Sequence, residues 1–118
     1  MTTIETQKIR KLNDAFRAET TAMSGAWFGS LQLIVTRGVQ GRGIPFVARA
    51  VAAVHAFCDF APENDPYGEH DFGAFTLEGA RLYWKIDYYD PSYDLGSDDP
   101  SDGDKTRRVL TILLAEEY

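Results

Sequence analysis

Between Arg81 and Tyr88 the chain alternates strictly. Leu82, Trp84, Ile86 and Tyr88 fall on one side, and Arg81, Tyr83, Lys85 and Asp87 on the other. A period of two marks a half-buried strand, because successive side chains of extended backbone point to opposite faces. Asp71 to Leu77 reads as a second strand, and Glu78-Gly79 as the tight turn that joins the two into a β-hairpin. A lone hairpin is marginal in water, so the rest of the chain has to cover its apolar side.

Residues 5–19 supply one cover. Ile9, Leu12 and Phe16 recur at helical spacing, with Lys8, Arg10, Lys11 and Arg17 elsewhere. Gly25 and Gly29 punctuate a loop, and Ser30 to Thr36 reads as a strand. Gly38, Gly41 and Gly43 form the next connection. Pro45 suits the first turn of a second helix, which is predicted to run to Phe57 with Val47, Ala50, Val51, Val54, Phe57 and Cys58 on one face. Pro62, Asn64, Asp65, Pro66 and Gly68 make a turn-rich segment, and Asp90 to Asp104 a long acidic loop. Val109 to Leu114 is a strand apolar on both faces, hence central. The order α-β-α-β-β-β predicts an α+β fold: a mostly antiparallel sheet of about four strands with two helices packed on one face. Residues 1–118 are read as a single domain.

At 118 residues, with 44% hydrophobic and 13% aromatic content, such a chain can build a core without a disulfide or structural metal. The lone cysteine, Cys58, excludes an intrachain disulfide, which points to a reducing cytoplasm. Met1 to Leu12 is polar and lacks the apolar region of a signal peptide. The longest apolar runs fall far short of the ~20 residues that span a bilayer.

The net charge of −6 is unevenly placed: residues 1–58 carry +4, residues 59–104 carry −11 and residues 105–118 carry +1. A concentrated acidic field attracts basic surfaces and repels nucleic acid, whose binding rests on Lys and Arg.

Three segments carry a resemblance: Asn64-Asp65-Pro66-Tyr67-Gly68-Glu69-His70-Asp71-Phe72-Gly73, Trp84-Lys85-Ile86-Asp87-Tyr88-Tyr89-Asp90 and Arg108-Val109-Leu110-Thr111-Ile112-Leu113-Leu114-Ala115. With Ile9-Arg10-Lys11-Leu12-Asn13-Asp14, they resemble an uncharacterised bacterial family, domain of unknown function 3768. The resemblance implies bacterial origin, often on plasmids and other mobile elements. It implies no activity and no catalytic residue. Thr20 to Arg42 resembles the family least.

Several constellations invite chemistry. Asp65, Glu69, His70 and Asp71, with Asp87 and Asp90, have the donor types of a divalent metal site. Consecutive residues at the start of a strand alternate in direction, however, so His70 is expected to turn away from Glu69 and Asp71, and turn chemistry is the plainer reading. Read as a calcium loop from Asp98, the acidic segment puts Pro100 at the third position and Val109 at the twelfth, where oxygen ligands are required. A metal nuclease wants Glu-x-Lys, and Tyr83 stands two before Lys85, which is expected on an exposed sheet face near Asp87. His55 and Cys58 read as core. Gly38, Gly41 and Gly43, with Arg37 and Arg42, lie before a helix where backbone amides can hold an anion, but without the Gly-Lys-Ser/Thr of a phosphate loop.

Tyr83, Tyr89 and Tyr93 are expected to be partly exposed among acids, an interface composition. The leading expectation is a small acidic, non-enzymatic protein-binding module with no cofactor and no metal. Its binding residues are Tyr89, Asp90, Tyr93, Asp94, Asp98, Asp99, Asp102 and Asp104, with the acids standing in for phosphates on a partner's basic, nucleic-acid-binding surface. An anti-CRISPR or anti-restriction inhibitor from a mobile element would fit. It would bind neither nucleic acid nor membrane directly, and would be a monomer or homodimer. The alternatives are a small metal-dependent enzyme using Glu69, His70, Asp71 and Asp87, and a structural or regulatory homodimer built on the hairpin.

Overall fold

The computed structural model describes residues 3–22 and 32–118. Helix α1 is Ile4–Thr20. Thr3 caps it by accepting from the Thr6 N–H at 3.0 Å, and Glu5 in the first turn suits the positive end of the helix dipole. Of the strand expected over residues 30–36, Leu33–Val35 forms β1 and Thr36 precedes a one-turn helix, α2 (Arg37–Gln40). The glycine turn expected at Gly25 and Gly29 lies outside the described residues. Helix α3 is Ile44–His55, and the hairpin is β2 (Phe72–Leu77) and β3 (Ala80–Tyr89). Strand β4 (Arg107–Leu114) runs into a 3₁₀ turn, Ala115–Glu117.

The sheet has the order β1-β4-β3-β2, with β1 parallel to β4 and the other pairs antiparallel. The predicted hairpin turn forms. Glu78 and Gly79 both take positive φ (51° and 83°), the two-residue geometry whose twist matches the flanking strands. Leu82, Trp84 and Ile86 are buried and pack with Leu110, Ile112 and Leu114 of β4 beneath Phe46, Val47, Ala50, Val51 and Val54 of α3. Both longer helices cover this face, as predicted. Gly73 faces Trp84 across the hairpin, and a Cβ there would overlap the indole and the ring of Phe57. None of the described helices is long and apolar enough to cross a membrane.

Three readings need correction. The buried stripe of α1 is Ile9, Asn13, Arg17 and Thr20, with Leu12 and Phe16 only flanking it. Arg17, expected off the apolar face, bonds the α3 carbonyls of Val54 and His55 at 2.8 and 3.3 Å and lies over the rings of Phe60 and Trp84. That polar cap helps end α3 at His55, so the helical register expected to bury Cys58 does not extend to it. His55 and Cys58 are both exposed.

Candidate functional site

The acidic segment between β3 and β4 is built by short-range hydrogen bonds. The Asp90 N–H donates to the Leu95 carbonyl at 2.8 Å and the Ser97 N–H to the Tyr88 carbonyl at 3.2 Å, folding residues 88–97 back as a small hairpin. Asp90 Oδ1 accepts from Ser92 Oγ (2.9 Å) and the Asp94 N–H (3.0 Å). Asp99 Oδ1 accepts from Ser101 Oγ and N–H, while its N–H donates to Ser97 Oγ and its carbonyl accepts from Thr106 Oγ1. The two Ser101 bonds, the hydroxyl first, hold the Asp99 carboxyl below its ordinary range. Asp102 Oδ1 accepts from the Asp104 N–H at 2.9 Å. Arg108 ties the loop to the interior through the Pro100 carbonyl at 2.6 Å.

The residues expected to bind therefore divide in two. Asp90, Asp99 and Asp102 spend a carboxylate oxygen on the loop's own turns. Asp94, Asp98 and Asp104 are exposed and make no side-chain hydrogen bond or ion pair among the described residues. Tyr89 is half-buried and Tyr93 is 37% exposed, with their ring centroids 6.3 Å apart. Tyr93 has φ of 62°, a strained conformation for a bulky residue, fixed by its N–H bond to the Asp90 carbonyl. Sequence reasoning missed Leu95, which is 71% exposed. An apolar residue stranded among acids was the available signal.

Behind the loop lies a buried polar network. Arg108 Nε donates to Asn13 Oδ1 at 2.6 Å, and Asn13 Nδ2 donates to the Tyr88 hydroxyl (2.8 Å) and the Glu69 carbonyl (2.9 Å). The Tyr88 hydroxyl donates to Glu69 Oε1 at 2.9 Å. Burial pushes the Tyr88 phenol up and the Arg108 guanidinium down from their ordinary values. Asp71 is held at about 6, by burial first and then by the charge of Glu69.

Of the carboxylates and imidazole considered for a metal, Asp65 and His70 stay together, with the His70 N–H donating to Asp65 Oδ1 at 3.0 Å and Nε2 3.6 Å from Oδ2, while Glu69 and Asp87 turn to other partners. Glu69 serves Tyr88, and Asp87 pairs with Lys85 at 2.6 Å on the face without helices, where Lys85 was expected. His70 Nδ1 lies 2.8 Å from Asp14 Oδ1, with its ring stacked on Phe60 at 3.6 Å. Among the described residues, no three His, Cys, Asp or Glu side chains are placed to hold a metal ion. The glycine connection does hold an anion, but one from the chain itself. The Glu117 carboxylate accepts from Thr36 Oγ1 (2.7 Å), the Gly38 N–H (3.0 Å) and the Leu114 N–H (2.8 Å), in space that a Cβ on Gly38 would fill.

The sequence model of a family described as a protein of unknown function (DUF3768) matches residues 35–117. The match contains β2, β3, β4, α3 and the acidic loop, while α1, the Ile9–Asp14 motif and all of β1 but Val35 lie outside it. No curated protein and no solved structure matches the chain.

Proposed function

We propose that this chain, which belongs to the DUF3768 family, is a non-catalytic module that docks residues 89–104 on a basic surface of a partner protein. Tyr93 carries the reading: an exposed tyrosine held in a strained backbone beside Tyr89, Leu95 and the unpaired Asp94. Such strain costs on the order of 1 kcal/mol or more and persists only where the surroundings impose it. Asp90, Asp99 and Asp102 pre-shape the loop, so ordering it costs little on binding. Asp94, Asp98 and Asp104 supply charge, and Tyr89, Tyr93 and Leu95 supply area. A surface of this kind competes with phosphates for Lys and Arg. The partner class is therefore a nucleic-acid-handling protein, and inhibition of a defence complex by occupying its nucleic-acid channel is the sharpest form of the proposal.

The test is capture of partner proteins from a bacterial lysate at low and high salt, followed by titration of the captured partner. Charge reversal at Asp94, Asp98 and Asp104 to Lys is expected to weaken binding at least ~100-fold and abolish its salt dependence. Tyr93→Gly is expected to weaken binding while leaving stability unchanged or slightly raised. Retention of full affinity by the triple reversal would discard the reading.

A further inference from the structure

Among the described residues the sheet ends at β2, and no backbone hydrogen bond reaches that strand's outer side. The Ile86 N–H donates to the Asp71 carbonyl at 2.8 Å, and continuing the hairpin register sets these residues opposite each other. Inward and outward backbone groups alternate along an antiparallel strand. Gly73, Phe75 and Leu77 therefore bond to β3, while Phe72, Ala74 and Thr76 aim their N–H and C=O groups outward. Exposed edges are ordinarily guarded by charge, proline, bulges or shortness. The opposite edge, β1, is guarded by its length of three residues. Strand β2 spans six residues, Phe72-Gly73-Ala74-Phe75-Thr76-Leu77, with no charge and no proline, in a chain that is 25% charged.

We propose that β2 pairs antiparallel with β2 of a second copy of this chain, joining two four-stranded sheets into one. A two-fold axis at Ala74 puts the smallest side chain with a Cβ at the centre and sets Phe72 opposite Thr76 of the other copy. No charged side chain then lies within the paired segments, so two molecules of net charge −6 meet along an uncharged strip. That absence of charge selects the occupant: an uncharged strand fits, and the chain carries one in β2 itself. The axis stands perpendicular to the sheet, so both helix layers stay on one face. On the other face, the aromatic row Phe72, Tyr83 and Tyr118 (centroids 5.1 and 5.5 Å apart) runs up to the seam, where Phe72 faces Thr76 of the other copy. The acidic loop leaves the sheet between β3 and β4, one strand in from this edge, so pairing leaves both loops exposed. The proposal does not rest on the docking role.

Two measurements on the purified chain decide it, and neither needs a binding partner. Light scattering at about 200 µM is expected to give twice the 13.2 kDa chain mass, falling on dilution. Hydrogen exchange is expected to slow the Ala74 and Thr76 amides about 100-fold in the dimer and release them on dilution, while Gly73 and Phe75 stay protected throughout. Ala74→Lys with Thr76→Lys, which sets like charges across the seam, is expected to give a folded monomer. A wild-type chain that stays monomeric overturns the proposal. So do outward amides that exchange freely in a dimer, and a dimer that survives the double substitution. If the double variant fails to fold, the wild-type exchange pattern decides alone.

Discussion

The two long helices lie on the same face of the sheet and are held there by different forces. Helix α3 buries Phe46, Val47, Ala50, Val51 and Val54 without one polar side chain. Helix α1 buries Ile9 with Asn13, Arg17 and Thr20. Apolar attachment scales with area and is indifferent to direction. Attachment through Asn13 and Arg17 depends on angle and on every partner being present, because a buried donor or charge left alone is costly. The α3 side is an ordinary core, whereas the α1 side is a set of directed bonds reaching Tyr88, Glu69 and, through Arg108, the acidic loop.

The largest expected effect tests that contrast directly. Asn13→Ala takes the acceptor from Arg108 Nε and leaves the Tyr88 hydroxyl only Glu69, and is expected to cost about 3 kcal/mol in urea denaturation. Val51→Ala, fully buried on α3, is expected to cost about 2 kcal/mol. If Val51→Ala proves the costlier, the polar side is not what holds α1.

A smaller effect gives the α1 side a pH signature. The folded value of Asp71, about 6, lies above its ordinary 3.8. Its contribution to stability is thus full below about pH 4 and is lost as pH rises through 6. Asp71→Asn is expected to stabilise by about 1–2 kcal/mol at pH 7, discounted for partial exposure, and to do nothing at pH 3.5. Thermal melts across that range would show it, and a pH-independent gain would mean packing rather than charge is responsible.

The smallest effect is expected at Glu117, whose carboxyl is held below its ordinary value by Thr36 first and then by the Leu114 N–H. The sign reverses here: its contribution is present above the ordinary range and lost as pH falls through the lowered one. Glu117→Gln is expected to cost about 0.5 kcal/mol at neutral pH and less in acid.

The same contrast explains what the sequence made legible. The apolar period of α3 and the alternation of β3 state their buried faces outright, and the burial of β4 on both sides announces its central place. Arg17 read as lying off the buried face and Asn13 gave no signal, because a polar side chain declares only that it needs a partner. Their partners, Tyr88, Arg108 and the end of α3, are distant in sequence. The glycines before α3 did suggest an anion, yet nothing local identified it as Glu117. Of the candidate site, composition and the exposure of its tyrosines were readable. The division between shaping and presenting acids was not, since Asp99 and Asp98 differ only in where Ser97, Ser101 and Thr106 lie.

One pairing also sets a timetable. Leu33 lies beside Leu110 in parallel register, with about two thirds of the chain between them. The β2–β3 hairpin closes over a two-residue turn, on a scale of about microseconds. Strand β1 has only β4 beside it in the sheet, and its pairing closes the longest loop of the described strand pairs. It is the last strand to arrive and the first free to leave. A weakened β1 should therefore speed unfolding and scarcely slow folding.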